Sequence, residues 1–202
     1  MVENTEERKG DWFVTYSGKR FYAFDARVED INIKDIAHSL SLQTRWNGHC
    51  KTFYSIASHS LACARVAERI PATADVVAWA LMHDAAEAYI GDIIRPIKKA
   101  LLVDFGNQAF TMKEVEERLL RIIAEKFNLP WPIPETVFEI DNRMLVTEAM
   151  YLTNYGKPDH WVTERPWADI KPYAGAHVLL YQEPRAAEDV FLARAREYLK
   201  LA

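Results

Sequence analysis

The chain has 202 residues, half of them hydrophobic, and a formal net charge of -4; that suffices for one well-packed domain with small appendages. The mildly acidic balance, without a cluster of Lys and Arg interleaved with aromatics, disfavours binding to a nucleic acid polymer. Two cysteines, Cys50 and Cys63, with no Cys-x-x-Cys spacing, disfavour a disulfide framework or a zinc ribbon and fit a reducing cytoplasm. The opening MVENTEERKGDW lacks a basic n-region and an apolar h-region, and no stretch approaches about 18 uninterrupted apolar residues, so a cytoplasmic protein with no membrane partner is expected.

In chain order, Trp12 to Phe24 reads as two aromatic and β-branched runs around Ser17-Gly18-Lys19, the signal of a hairpin. Ile33, Ile36, Ala37 and Leu40 follow helical spacing behind Asn32 as N-cap and predict a helix to about Leu42. A loop at Arg45-Trp46-Asn47-Gly48-His49 follows. Ser55 caps a helix to about Ile70, Pro71 breaks it, and Thr73 caps a further helix that Gly91 stops. Thr111 with Glu114 forms a capping box ahead of Val115, Leu119, Ile122, Ile123 and Phe127. LPWPIPE ends that helix, and Pro134 enters the first turn of the next, which runs to about Asn154. Tyr155 to Glu183 reads as an irregular covering loop, and Pro184 to Leu199 as a closing helix. The fold class is therefore all-α with a small N-terminal hairpin, a single domain over 1–202.

The chemistry gathers around MHDAAEAYIGD, Met82 to Asp92. Adjacent His83 and Asp84 on a helix diverge by about 100 degrees, within reach of one divalent cation. Two ligands hold a metal poorly, so His59 and Asp141 are candidates for the remainder. Asp141 shares a helical face with Val137, Phe138, Met144 and Leu145, and a carboxylate pointing inward needs hydrogen bonds, a cation or a metal. Glu87, one turn beyond the His-Asp pair, is placed either to hold a metal-bound water or to pair with a surface cation. Asp92 is either a cap for the turn before Pro96 or a group at the pocket rim. His49, beside Arg45 and Trp46, suits a substrate contact or a structural hydrogen bond. A small anionic substrate is compatible with the acidic chain, because a metal and local cations reverse the field inside a pocket.

The sum of Arg45-Trp46, His59, HDAAEAYIGD, Pro96 with Lys98 and Lys99, and Asp141 resembles the HD-domain phosphohydrolase superfamily over about Ile31 to Leu152. Within it the chain is similar to small bacterial and phage 5'-deoxynucleotidases and deoxynucleoside triphosphate triphosphohydrolases. The resemblance implies an HD-type helical bundle holding one divalent ion (Co, Mn, Zn, Fe or Mg) on His59, His83, Asp84 and Asp141. It also implies Glu87 and Asp92 as catalytic carboxylates, Arg45 on phosphate and Trp46 beside the deoxyribose. The 5'-deoxynucleotidases usually carry Glu before the first ligand histidine, where Ser58 stands here. The implied function is hydrolysis of the phosphate ester of a small-molecule nucleotide, a deoxynucleoside 5'-monophosphate first. Release of triphosphate is the alternative, with Lys98, Lys99 and His49 as added anion contacts. A noncatalytic nucleotide-binding sensor is the alternative of a different class, and a homo-oligomer is compatible with either.

Overall fold

The computed structural model describes residues 8–104, 108–154 and 169–201. The first part of the expected covering loop, 155–168, lies outside the described residues. The hairpin forms where the alternation asks for it: β1 (Phe13–Val14) pairs antiparallel with β2 (Arg20–Phe21). Gly18 closes the turn at φ +80°, a conformation that disfavours any side chain. Asp35 clamps the turn, accepting from Ser17 N at 2.6 Å and Ser17 Oγ at 2.8 Å.

Helix α1 (Ile33–Leu42) starts behind Asn32, whose side chain accepts from Lys34 N. Its end leads into a tied loop: Arg45 N donates to Tyr54 O, and Ile56 N to Gln43 O. Ser55 caps α2 (Ile56–Ala67), which stops three residues before the expected Ile70 and buries every residue except Arg65. Thr73 caps α3 (Ala74–Met82). The expected continuous helix from Thr73 to Gly91 is broken here. His83 Nδ1 takes the Ala80 carbonyl at 3.0 Å, the acceptor that a continuing helix would offer to Asp84 N, and i→i-3 bonds tighten the chain over the following residues. A single turn, α4 (Glu87–Ile90), resumes and ends at Gly91, φ +80°.

After α5 (Arg95–Lys98) comes a second small hairpin absent from the sequence reading, β3 (Leu102–Asp104) with β4 (Ala109–Thr111). Thr111 ends β4 and caps α6 (Met112–Phe127) through the expected reciprocal box with Glu114. In α7 (Glu135–Leu152), Pro134 is the N-cap rather than part of the first turn. Helix α8 (Pro184–Tyr198) closes the described chain. The protein is thus mainly α-helical, with two small two-stranded sheets among the described residues. Buried α2 is the axis, packed against α1, α3, α7 and α8. No helix among the described residues is long and apolar enough to cross a membrane.

Candidate metal centre

Two histidines from neighbouring helices meet nitrogen to nitrogen. His59, on α2, donates Nδ1–H to Glu148 Oε1 at 2.6 Å; His83, just after α3, donates Nδ1–H to Ala80 O at 3.0 Å. A carbonyl and an ionised carboxylate only accept, so each neutral ring carries its proton on Nδ1 and turns an Nε2 lone pair inward. The two Nε2 atoms lie 3.2 Å apart. Lone pairs at that distance repel unless a proton or a cation is shared between them.

The carboxylates complete the cluster. Asp84 Oδ2 lies 3.4 Å from His83 Nε2 and 3.7 Å from His59 Nε2. Asp141 Oδ1 lies 3.2 Å from His59 Nε2 and 3.9 Å from His83 Nε2. Ligands about 2.1 Å from one ion sit about 3.0 Å apart in a regular octahedron and about 3.4 Å in a tetrahedron, which the shorter contacts match, while the 3.7 and 3.9 Å contacts are a few tenths of an ångström longer. The histidines are closed off from solvent, whereas the Asp84 and Asp141 side chains keep 14% and 18% exposure, so the centre opens on the aspartate side. Cys63, one turn beyond His59 on α2, adds a sulfur. His59, Cys63 and His83 form a buried group whose ligand atoms all lie within 4.8 Å of one another and could hold a metal ion.

Arg45 governs the charge around this cluster. Its Nε donates to Glu148 Oε2 at 3.2 Å and its Nη1 to Asp84 Oδ2 at 3.3 Å, two of the five N–H groups of a guanidinium. Burial raises the Glu148 carboxyl, but Arg45 and His59 outweigh it and hold the group below the usual range. Burial likewise raises Asp84, and His83, His59 and Arg45 overcome it. Burial and Arg45 disfavour a charged His59, yet Cys63, Glu148 and Asp141 leave its imidazole well above the ordinary value.

Glu87 and Asp92 behave differently. Burial first, then Asp84 and Asp92, push Glu87 well up, although Lys98 Nζ lies 3.1 Å from its Oε1. Lys98 also holds Glu116 at 2.9 Å. Glu87 Oε2 is buried and has no hydrogen-bond partner among the described residues. Burial also raises Asp92. Gln43, at the end of α1, ties the two together: its Nε2 donates to Glu87 O at 3.0 Å, and its Oε1 accepts from Asp92 N at 3.0 Å.

The structure therefore brings His59, His83, Asp84 and Asp141 together, with Arg45 in contact with Asp84. Trp46 follows Arg45, half-buried, in a stretch where Trp46, Asn47 and Gly48 all have positive φ (57°, 49° and 81°). His49 is exposed. Lys98 is committed to two carboxylates, and Lys99 is exposed at the end of α5. Asp141 does not share an inward face with Phe138: that ring is 43% exposed because the buried face of α7 runs through Val137, Ile140, Met144 and Glu148. Sequence reasoning missed Glu148, Cys63 and Arg95, whose Nη2 lies 3.6 Å from Asp141 Oδ2. Spacing alone marked the first two, Cys63 at four residues from His59 and Glu148 at seven from Asp141, both on shared helix faces.

No family model matches the chain. Over 134 residues, 66% of its length, it is 40% identical to the uncharacterized protein YfdR of Escherichia coli (strain K12), covering 68% of that protein. It is 34% identical over 135 residues to the uncharacterized protein RCAP_rcc00048 of Rhodobacter capsulatus, covering 64% of this chain and of that relative. The chain belongs to the family of YfdR.

Proposed function

We propose that this protein is a metal-dependent phosphohydrolase of the HD-domain type that hydrolyses deoxynucleotides, deoxynucleoside 5'-monophosphates first. One observation carries the reading: two inward-facing Nε2 nitrogens 3.2 Å apart, approached by Asp84 and Asp141 within 3.2 to 3.9 Å. Four such donors suit one divalent ion, whose bound form supplies Lewis acidity and a water of lowered pKa.

The chain's own residues would do the rest. Glu87, held at Oε1 by Lys98, keeps Oε2 as an acceptor for a water proton. Asp92, its carboxyl raised by burial, stands beside Glu87 as the group to assist the leaving oxygen. Arg45 uses two donors on Glu148 and Asp84, and its remaining N–H groups would serve a phosphate oxygen. Trp46 packs beside the sugar and denies a 2'-hydroxyl both room and partners.

A screen of phosphate release and product identity settles the matter, run over deoxy- and ribonucleoside mono- and triphosphates with magnesium, manganese, cobalt, zinc and iron(II). Orthophosphate and a deoxynucleoside are expected from deoxynucleoside monophosphates. Inorganic triphosphate as product would move the substrate to the triphosphates. Nucleotide binding without turnover under any metal would overturn the enzyme reading in favour of a sensor.

A further inference from the structure

We infer that Cys63 is a metal donor, so that the histidine pair serves two ligand sets. One is oxygen-rich, with Asp84 and Asp141; the other is a nitrogen and sulfur set with Cys63, suited to thiophilic ions such as zinc, cobalt(II) or cadmium. This rests on the metal-centre reading and adds to it a preference among ions.

The geometry is specific. Cys63 follows His59 by one helical turn, and its Sγ lies 3.6 Å from His59 Nε2, the nitrogen facing the centre, rather than from Nδ1. A tetrahedral ion with metal–nitrogen bonds of about 2.1 Å and metal–sulfur bonds of about 2.3 Å separates two nitrogens by about 3.4 Å and a nitrogen from a sulfur by about 3.6 Å. The two imidazole nitrogens are 3.2 Å apart and His59 Nε2 is 3.6 Å from Cys63 Sγ, with the ligand atoms of His59, Cys63 and His83 all within 4.8 Å of one another. All three side chains are buried, and Cys63 Sγ has no hydrogen-bond partner other than His59 among the described residues. A buried cysteine that only fills space has no need to stand at an imidazole lone pair. On coordination the S–H proton leaves to water as the sulfur–metal bond forms, with no change of oxidation state. Thiolate favours zinc, cobalt and cadmium over magnesium or manganese, which the two carboxylates suit better.

Cobalt(II) reads this directly, because a sulfur ligand adds an intense near-ultraviolet charge-transfer band to its visible absorption. Full-length protein, stripped of metal and titrated with cobalt, should show that band saturating together with the visible bands. Cys63→Ser and Cys63→Ala should keep the visible bands and lose the charge-transfer band, while Cys50→Ala keeps both. Cobalt bound by the wild type without the charge-transfer band overturns the sulfur donor and leaves the metal centre standing. No cobalt bound at all overturns both. Should the Cys63 variants fail to fold, loss of the band in Cys50→Ala would assign the sulfur to Cys50 and overturn the inference.

Discussion

His59 on α2 and Glu148 on α7 are joined by a 2.6 Å hydrogen bond in the protein interior, and the other Glu148 oxygen takes Arg45. One carboxylate thereby fixes the imidazole tautomer and the position of the guanidinium. Glu148→Gln removes the charge while keeping a similar shape, so metal affinity should fall about 10- to 100-fold in calorimetric titration. Glu148→Ala also strips Arg45 of a buried partner and should cost about 3 to 5 kcal/mol in urea unfolding. Wild-type metal affinity in Glu148→Gln would reduce this residue to a packing role.

Asp141→Ala removes an oxygen that approaches both imidazoles. Metal analysis of that variant should show a strong deficit, with the helical content unchanged. Full occupancy would take Asp141 out of the ligand set.

Glu87 ionises near 4.5 in the unfolded chain and only well above that in the folded one. The folded state therefore binds more protons over that interval, and stability falls as pH rises through it. Glu87→Gln, neutral throughout, should match the wild type below pH 4.5 and exceed it increasingly above. Denaturation midpoints in chelator give the comparison, and the same variant should retain metal but lose turnover. A wild-type midpoint at or above that of Glu87→Gln in mild alkali would contradict the burial argument.

Trp46→Ala should narrow the gap between deoxy- and ribonucleotides. An unpartnered buried hydroxyl costs about 1 to 3 kcal/mol, or about 5- to 150-fold in discrimination. Steady-state kinetics with an unchanged deoxy preference would sever Trp46 from sugar selection. Arg45→Ala should weaken both sugars alike, with a loss of stability that Arg45→Lys does not restore, since an ammonium cannot make the two-pronged contact to Glu148 and Asp84.

Local chemistry made much of this fold legible. Asn32 and the Thr111 to Glu114 box mark their helix starts because caps satisfy donors within a few residues. His59, His83, Asp84 and Asp141 were legible as a set through the resemblance of their order, His then His-Asp then Asp, to the HD-domain hydrolases, and Asp141 also through the cost of a carboxylate on an apolar helix face. The break after Met82 was not, since it depends on a ring nitrogen capturing a carbonyl in three dimensions. Glu148 was hard to read for a related reason: its partners are 89 and 103 residues away, and only its spacing of seven residues from Asp141 marks it. The β3–β4 hairpin escaped notice because three-residue strands offer too short an alternation to separate from a loop.

Gln43 has a consequence for how this region can change. Its amide nitrogen donates to Ser39 Oγ and to the Glu87 backbone, and its oxygen accepts from the Asp92 backbone, 49 residues away. Neither end can be exchanged for a carboxylate or an ammonium without losing at least one of these bonds. The backbone at Glu87 and at Asp92, the two positions that carry the carboxylates, is therefore fastened to a single joint at the end of α1.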